Sequence, residues 1–428
     1  MNKSFITIGS NIYRGKTTPI RYRDADRLRH MYVIGKTGVG KSAMLQNMCL
    51  QDIKNYKGVC FIDPHGDSVD WLLQRIPADR LSDVVFFDPS DTDFPFGLNL
   101  LEAADERDKD FLVSECIQIF YKLFDPGKTG IIGPQFEHWL RNAALTVMAG
   151  PEGGSIVEIP KLFIDKQFEQ SKVKHLTDPI VLDFWNKQMA KTSDFHRSEM
   201  LNYFMSKFGH FLNNALMRNI MGQRKSSFTF DDALRENKIV LVNLSKGKIG
   251  DMNAHMLGLI LISKLQVAIL KRARETAGAR EPFYLYVDEF QNFTTDTFIS
   301  MLSESRKYGL GAHLANQYLG QLPEDIQEAI LGNVGTLLSF EVGAEDAEIL
   351  SKEFNPMETE DFINLEKFNF YIKLMIDGKT STAFSGVGLM PERATALPAM
   401  QRAVLALSRL TYGVPKQLIE QQIKRRLQ

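Results

Sequence analysis

The chain has little sulfur with which to cross-link itself. Its three cysteines, Cys49, Cys60 and Cys116, are odd in number and lack the spacing of a zinc or redox site. That excludes a disulfide scaffold and suits buried free thiols in a reducing compartment. Net charge is almost absent too: 51 Lys and Arg stand against 52 Asp and Glu, for a formal value of −1. A surface that coats nucleic acid all over is therefore not expected, although contact through a few loops needs no basic average. No secretory pattern is visible, and no long uninterrupted apolar run. The longest apolar segment, 256–270, carries Ser263, Lys264 and Gln266 inside it. It reads as a buried or amphipathic helix, so no transmembrane segment is expected. What is present is ample core material: 44% of 428 residues are hydrophobic, enough for two globular modules.

One stretch stands out, HMYVIGKTGVGKSAML from His30 to Leu45. Gly35, Gly40, Lys41 and Ser42 fit the pattern G-x-x-x-x-G-K-[ST], after a short apolar run at 31–34 of the strand type, and a helix should follow at once. The glycines let the backbone curl so that the N–H groups of Gly35, Lys36, Thr37, Gly38, Val39 and Gly40 can point at phosphate oxygens. Lys41 then brings a point charge to the β- and γ-phosphates, Ser42 offers a hydroxyl to Mg²⁺, and the helix adds its positive N-terminal dipole. A nucleotide site is the expectation, with a plain glycine-rich turn as the bland alternative.

Around this stretch the chain alternates between strand and helix. Residues 5–8 read as an edge strand or clasp and 21–30 as a charged lead-in. Residues 59–62 read as a second core strand broken by Pro64 and Gly66, and VVFF, within 83–88, as a third. Asp63 and His65, at the second strand's end, either face the nucleotide or build a turn. From about Glu102 to Gly222 the periodic segments are helical (111–124, 134–149, 160–175, 179–191 and 199–221) and hold no ligand-spaced His, Cys or carboxylate cluster. This block reads as an inserted all-α domain for packing or partner docking.

Strand–helix alternation resumes with KIVLVNL at 238–244 and a long helix at 254–274. Then FYLYVDE ends on Asp288 and Glu289. A hydrophobic strand delivering adjacent acids has the Walker B form: Asp288 can hold Mg²⁺ through water, and Glu289 can orient and deprotonate an attacking water. The next strand, 312–315, delivers Asn316 and Gln317. The Gln317 amide either senses the γ-phosphate and positions the water or simply caps the strand. Lys246 and Lys248, past the 238–244 strand, are candidate contacts to a polymer backbone or ordinary exposed lysines. Strands at 336–340 and 370–376 follow. The terminal helix, 415–427, ends in Lys424, Arg425 and Arg426, which complement its dipole.

With these residues on view, GKTGVGKS, FIDPHGD, the helical insertion, NLSKGKIG, YVDEFQNF, SESRKYGLGAHLANQYLGQL and GNVGTLLSF together resemble the HerA/FtsK class of ring ATPases. Within that class they are similar to the soluble part of TraG/TraD-like conjugative coupling proteins. The resemblance spans Pro19 to about Pro391. It implies an α/β fold in which a RecA-like P-loop ATPase domain, a central β-sheet flanked by helices, is interrupted by the all-α domain. It also implies a homo-oligomer, a hexamer, that binds ATP with Mg²⁺ between subunits and pumps DNA through a central channel. The strand ending in Gln317 should lie between the P-loop and Walker B strands. Arg306, in SESRK, matches the position of an arginine finger reaching the neighbour's site; otherwise it is a helix C-terminal cation. The N-terminal membrane helices of coupling proteins and the β-barrel of HerA proteins are not matched.

The expected division is thus 1–101 and 223–390 for the ATPase domain, 102–222 for the insertion and 391–428 for a C-terminal helical tail. Lys41, Glu289, Gln317 and Arg306 are the catalytic candidates, residues 35–42 hold the nucleotide, and Ser42 and Asp288 hold the metal. The expected setting is the cytoplasm, recruited at most to the inner face of a membrane complex. A relaxase or secretion-channel partner would be met through the all-α domain. Three alternatives share these residues: a protein-secretion ATPase of the same superfamily, a HerA-like DNA-processing helicase or translocase, and a scaffold whose assembly ATP controls.

Overall fold

The computed structural model describes residues 4–276, 278, 280–391 and 398–428; residues 392–397 of the expected tail lie outside the described residues. Among the described residues thirteen strands are formed: β1 Phe5–Tyr13, β2 Lys16–Arg23, β3 Met31–Ile34, β4 Gly58–Asp63, β5 Val84–Phe87, β6 Ile239–Asn243, β7 Phe283–Val287, β8 Leu310–Asn316, β9 Thr336–Ser339, β10 Asn369–Lys373, β11 Met375–Ile376, β12 Lys379–Thr380 and β13 Phe384–Gly388. Eleven of them make one sheet in the order β2-β1-β13-β10-β9-β3-β8-β7-β4-β6-β5, and β11 with β12 makes a small hairpin.

From β9 to β5 the pairing is parallel. Every residue of β3, β6, β7 and β8 is buried, because helices cover both faces of a parallel sheet. This is why these segments are continuous runs such as MYVI, IVLVN and FYLYV, with no polar–apolar alternation. Beyond β9 the pairing turns antiparallel through β10, β13, β1 and β2. β10 alternates buried and half-buried positions, as a strand with one covered face does. The lead-in at 21–30 is not plain loop. β1 and β2 form a hairpin closed by Arg14 and Gly15, both with positive φ, and β2 is the sheet edge. An edge strand tolerates the lysine, arginines and Pro19 that hid it from a hydrophobic-pattern reading.

The chain divides into two compact units. The first comprises residues 1–87, 230–245 and 268–408, and contains the whole sheet. At its β5 edge the Phe86 N–H donates to Ser408 Oγ at 2.9 Å, so the first part of the helix Pro398–Tyr412 belongs to this unit. The second comprises 88–229, 246–267 and 409–428. It is thus wider than 102–222 and is not one uninterrupted stretch, since helical segments far along the chain complete its core. Three of its helices, Glu106–Phe124, Pro134–Met148 and Asp194–Leu212, pack stacked and tilted rings, with Phe120, Phe136, Phe204 and Phe208 at the centre. The single helix expected at 160–175 breaks at Asp165, whose carboxylate caps the next helix by accepting the Phe168 N–H. Arg426 does more than complement a dipole: it and Lys172 both pair with buried Glu158, at 2.8 and 2.6 Å. Among the described residues one helix, Asp251–Arg274, is long and apolar enough to cross a membrane, and 78% of its apolar window is buried in the fold.

Within the sheet unit one buried ion pair joins three elements. Arg27, fully buried in the turn before β3, donates to Asp52 Oδ1 and Oδ2 at 2.7 and 2.6 Å and to the Tyr286 hydroxyl at 2.7 Å. Its guanidinium lies over the Tyr284 ring, 3.6 Å from the centroid. Asp52 is on the helix Lys41–Lys54 and both tyrosines are on β7, so the pair pins that helix against β7. Arg27→Met would leave the Asp52 carboxylate buried and uncompensated, and urea unfolding should show a loss of about 3–5 kcal/mol. The double replacement Arg27→Met with Asp52→Leu should lose far less, because no orphan charge remains.

Candidate active site

The site is assembled at the carboxyl ends of three neighbouring parallel strands, β3, β8 and β7. The register puts Ile34 opposite Asn316 and Val287 opposite Leu314, so the residues that follow, Gly35, Gln317 and the pair Asp288–Glu289, emerge along one sheet edge. β8 lies between the other two, the place the resemblance implied. A crevice outside the carboxyl ends of parallel strands is where ligands bind in such sheets.

The loop after β3 curls as its sequence requires. Gly38 and Gly40 have φ of 83° and 127°, values that side chains rarely adopt. A Cβ on Gly40 would also meet the Phe368 ring at 2.8 Å, and one on Gly35 would meet the Phe340 Cβ at 2.7 Å. Two aromatics from distant strand ends therefore wall the loop. The wall is hydrogen-bonded as well: the Phe368 N–H donates to Val39 O at 2.9 Å, the Lys36 N–H to Glu341 O at 2.8 Å, and Lys36 Nζ to Glu341 Oε1 at 2.6 Å. Lys41 opens the helix with its ammonium held inside the loop, donating to the Gly35 and Lys36 carbonyls at 2.6 and 2.9 Å. Burial lowers its pKa, while Asp288 and Glu289 pull it the other way.

Ser42 and Asp288 are brought into contact, the Ser42 hydroxyl donating to Asp288 Oδ2 at 2.6 Å. Burial raises the Asp288 pKa; the Ser42 bond opposes this, and the charges of Glu289 and Asp63 add to it. Among the described residues no group of three or more His, Cys, Asp or Glu could hold a metal ion. A hydroxyl beside one carboxylate nevertheless fits Mg²⁺, which keeps several waters, binds one or two carboxylates and takes remaining ligands from substrate phosphates.

Glu289 follows in the left-handed region, φ 50° and ψ 47°. Its Oε1 accepts from Gln317 Nε2 at 3.0 Å and its Oε2 from Gln291 Nε2 at 2.7 Å. Gln317 is fixed in turn, its Oε1 accepting from the Thr37 hydroxyl at 3.1 Å. A continuous chain of hydrogen bonds thus runs from the P-loop through Gln317 to Glu289. Beside it opens a cleft of about 770 Å³ lined by Lys36, Thr37, Gln317, Tyr318 and residues 343–346.

Other candidates lie elsewhere or serve a turn. Asp63 accepts from the N–H groups of His65, Ser68 and Val69 at 2.8, 2.8 and 3.2 Å, which is the turn reading of that residue, and His65 is exposed. Lys246 pairs with Asp251 at 3.1 Å; Lys248 is exposed. Arg306 is exposed and precedes β8, whereas Gln317 follows it. The strand between them puts Arg306 roughly 20 Å from its own chain's cluster. Sequence reasoning missed Gln291, Phe340, Glu341 and Phe368. Only Gln291 carried a local signal, two residues after Glu289; the other three reach the loop from distant strand ends.

The sheet and this edge define the architecture of a RecA-like P-loop ATPase domain. Residues 282–361, which include β7 through β9, match the family model described as the TraM recognition site of TraD and TraG. Against curated protein sequences the chain finds no match. Among solved structures it is similar to the bacterial conjugative coupling protein TrwBdeltaN70 in an unbound form, at 14% identity and TM-score 0.60, covering 93% of this chain and 90% of that one. It is likewise similar to TrwB in complex with ADP and Mg²⁺ (14%, TM-score 0.59, 92% and 96%). VirB4 of Thermoanaerobacter pseudethanolicus is a third (14%, TM-score 0.62, 91% and 98%).

Proposed function

We propose that this chain is the subunit of an ATP-hydrolysing motor of the coupling-protein kind. It assembles as a hexamer and moves DNA through a central channel in conjugative or type IV secretion-type transfer. One observation carries the reading: Ser42–Asp288 and Glu289–Gln317 meet at one sheet edge, over a loop that can cradle phosphates. The likeness to TrwB and VirB4 across nearly the whole chain, and the coupling-protein match at 282–361, support it. The unit containing 88–229 is proposed as the docking module for a relaxase or channel partner, from the cytoplasmic face of a membrane complex.

In the proposed mechanism the loop N–H groups and Lys41 hold the triphosphate of ATP. Ser42 and Asp288 hold Mg²⁺, which neutralises charge on the phosphate oxygens when bound. Glu289 takes the proton of the attacking water as the water oxygen bonds to the γ-phosphorus and the bond from that phosphorus to the β–γ bridging oxygen breaks, so that ADP leaves and inorganic phosphate is formed. Gln317 orients that water and links it to the P-loop through Thr37. Arg306, too far from its own site, serves the site of the next subunit.

Glu289→Gln preserves shape and removes the base, so hydrolysis should fall roughly 10²-fold or more while ATP still binds, whereas Lys41→Ala should weaken binding itself. Steady-state turnover and titration with a fluorescent ATP analogue check both. The interfacial role of Arg306 is read by mixing. Lys41→Ala and Arg306→Ala subunits are each nearly inactive, and random exchange into rings repairs roughly a quarter of interfaces. Single-turnover cleavage should therefore reappear after verified exchange. No recovery would place Arg306 outside the site. A formal charge of −1 keeps a second reading, a protein-moving ATPase, in view. Turnover stimulated by DNA and losing that stimulation with rising salt is expected of the DNA motor; a rate indifferent to DNA would favour the second reading.

A further inference from the structure

Glu289 occupies a backbone conformation that residues other than glycine seldom adopt. Its φ of 50° and ψ of 47° lie in the left-handed region, and its own N–H is turned back onto Asp288 Oδ1 at 3.0 Å. The direction of the carboxylate is set by hydrogen bonds from other side chains. Two amides supply it, one on each oxygen: Gln317 on Oε1 and Gln291 on Oε2. They differ in what holds them. Gln317 is bonded to Thr37 of the P-loop, so its position follows the loop. Gln291 sits in the short turn Phe290–Phe293 directly after Glu289, and its carbonyl oxygen Oε1 is buried with no hydrogen-bond partner. Reversing that amide would set its oxygen against a carboxylate, so donation to Glu289 fixes its orientation. The turn itself is packed, with Phe290 and Phe293 both 1% exposed.

We propose that Gln291 is the positioning residue of Glu289: it holds Oε2 from within the Walker B turn, whatever the P-loop does, and so keeps Oε1 aimed at the attacking water. Gln291 touches neither water nor nucleotide in this role. When Thr37 turns to a bound phosphate and Gln317 is freed to orient water, the bond from Gln291 is the one that remains on the base. The inference rests on the hydrolytic reading given under the proposed function and adds a residue that the reading does not need.

The test uses the full chain with Gln291→Met, which keeps length and apolar bulk but has no donor, and Gln291→Ala as a second variant. Turnover number, KM for ATP and the thermal unfolding midpoint are measured for each, in the wild-type and in the Glu289→Ala background. The expected result is a fall in kcat of about 10- to 100-fold, the scale of a misplaced catalytic group, with KM within about twofold and the midpoint unchanged. In the Glu289→Ala background neither variant should lower the residual rate further, because a residue that acts through Glu289 has nothing left to position. An unchanged kcat, a loss confined to KM, or the same fold loss with and without Glu289 would each overturn the proposal. Should both variants lose the unfolding midpoint along with activity, Gln291 is a packing residue and the proposal is likewise overturned. A wild-type chain that binds ATP without cleaving it overturns the hydrolytic reading and this inference together; a wild-type chain that cleaves ATP with inert Gln291 variants overturns this inference alone.

Discussion

The geometry of the site depends on one buried ion pair set well away from it. Arg27 and Asp52 are both out of water, and such charges persist only with close partners and filled hydrogen-bonding capacity. Arg27 meets that demand with both oxygens of Asp52, the Tyr286 hydroxyl and the face of Tyr284. The pair joins the last turn of the helix Lys41–Lys54 to β7. The other end of that helix carries Lys41 and Ser42, and the end of that strand carries Asp288 and Glu289. A helix fixed at its far end by a bidentate bond cannot slide along the strand, so the Ser42–Asp288 contact at its near end inherits a narrow range of positions.

The loop between strand and helix is constrained from the opposite direction. Phe340 follows β9 and Phe368 precedes β10, and both press on glycines of the loop where no side chain would fit. β9 adjoins the P-loop strand directly, whereas β10 is the first antiparallel strand beyond it. Beyond β10 the antiparallel part of the sheet continues through β13 to the β1–β2 hairpin. The side of the site made by β7 and β8 is polar: Thr37, Gln317, Glu289 and Gln291 form an unbroken line of hydrogen bonds. One flank thus sets aromatic rings against the loop glycines, and the other lines up polar side chains.

How much of this was legible in the chain can be judged residue by residue. The strand, loop and helix from Met31 to Lys54 were readable because glycine spacing, the following Lys–Ser and a continuous apolar run are all local properties. Asp288 and Glu289 were readable for the same reason, as adjacent acids ending FYLYV. The β1–β2 hairpin was not, since an edge strand need not look hydrophobic and its turn uses Arg14 with Gly15 in place of a strong turn dipeptide. Asp63 shows the opposite limit. Its carboxylate bonds the turn it begins, a role the sequence could state only as one of two.

By itself the sequence determined the α/β core, the glycine-rich loop with its Lys–Ser and the paired acids, because each is written in a few consecutive residues whose chemistry admits few alternatives. Only the tertiary structure decided which strands are neighbours, which distant aromatics wall the loop and which amides hold Glu289. It also decided that residues 246–267 and 409–428 complete the helical unit begun at 88. Most of those outcomes rest on contacts between segments far apart in the chain, Phe340 and Phe368 on the loop at 35–40 among them, where burial and hydrogen-bond satisfaction choose the partner and no local pattern records the choice.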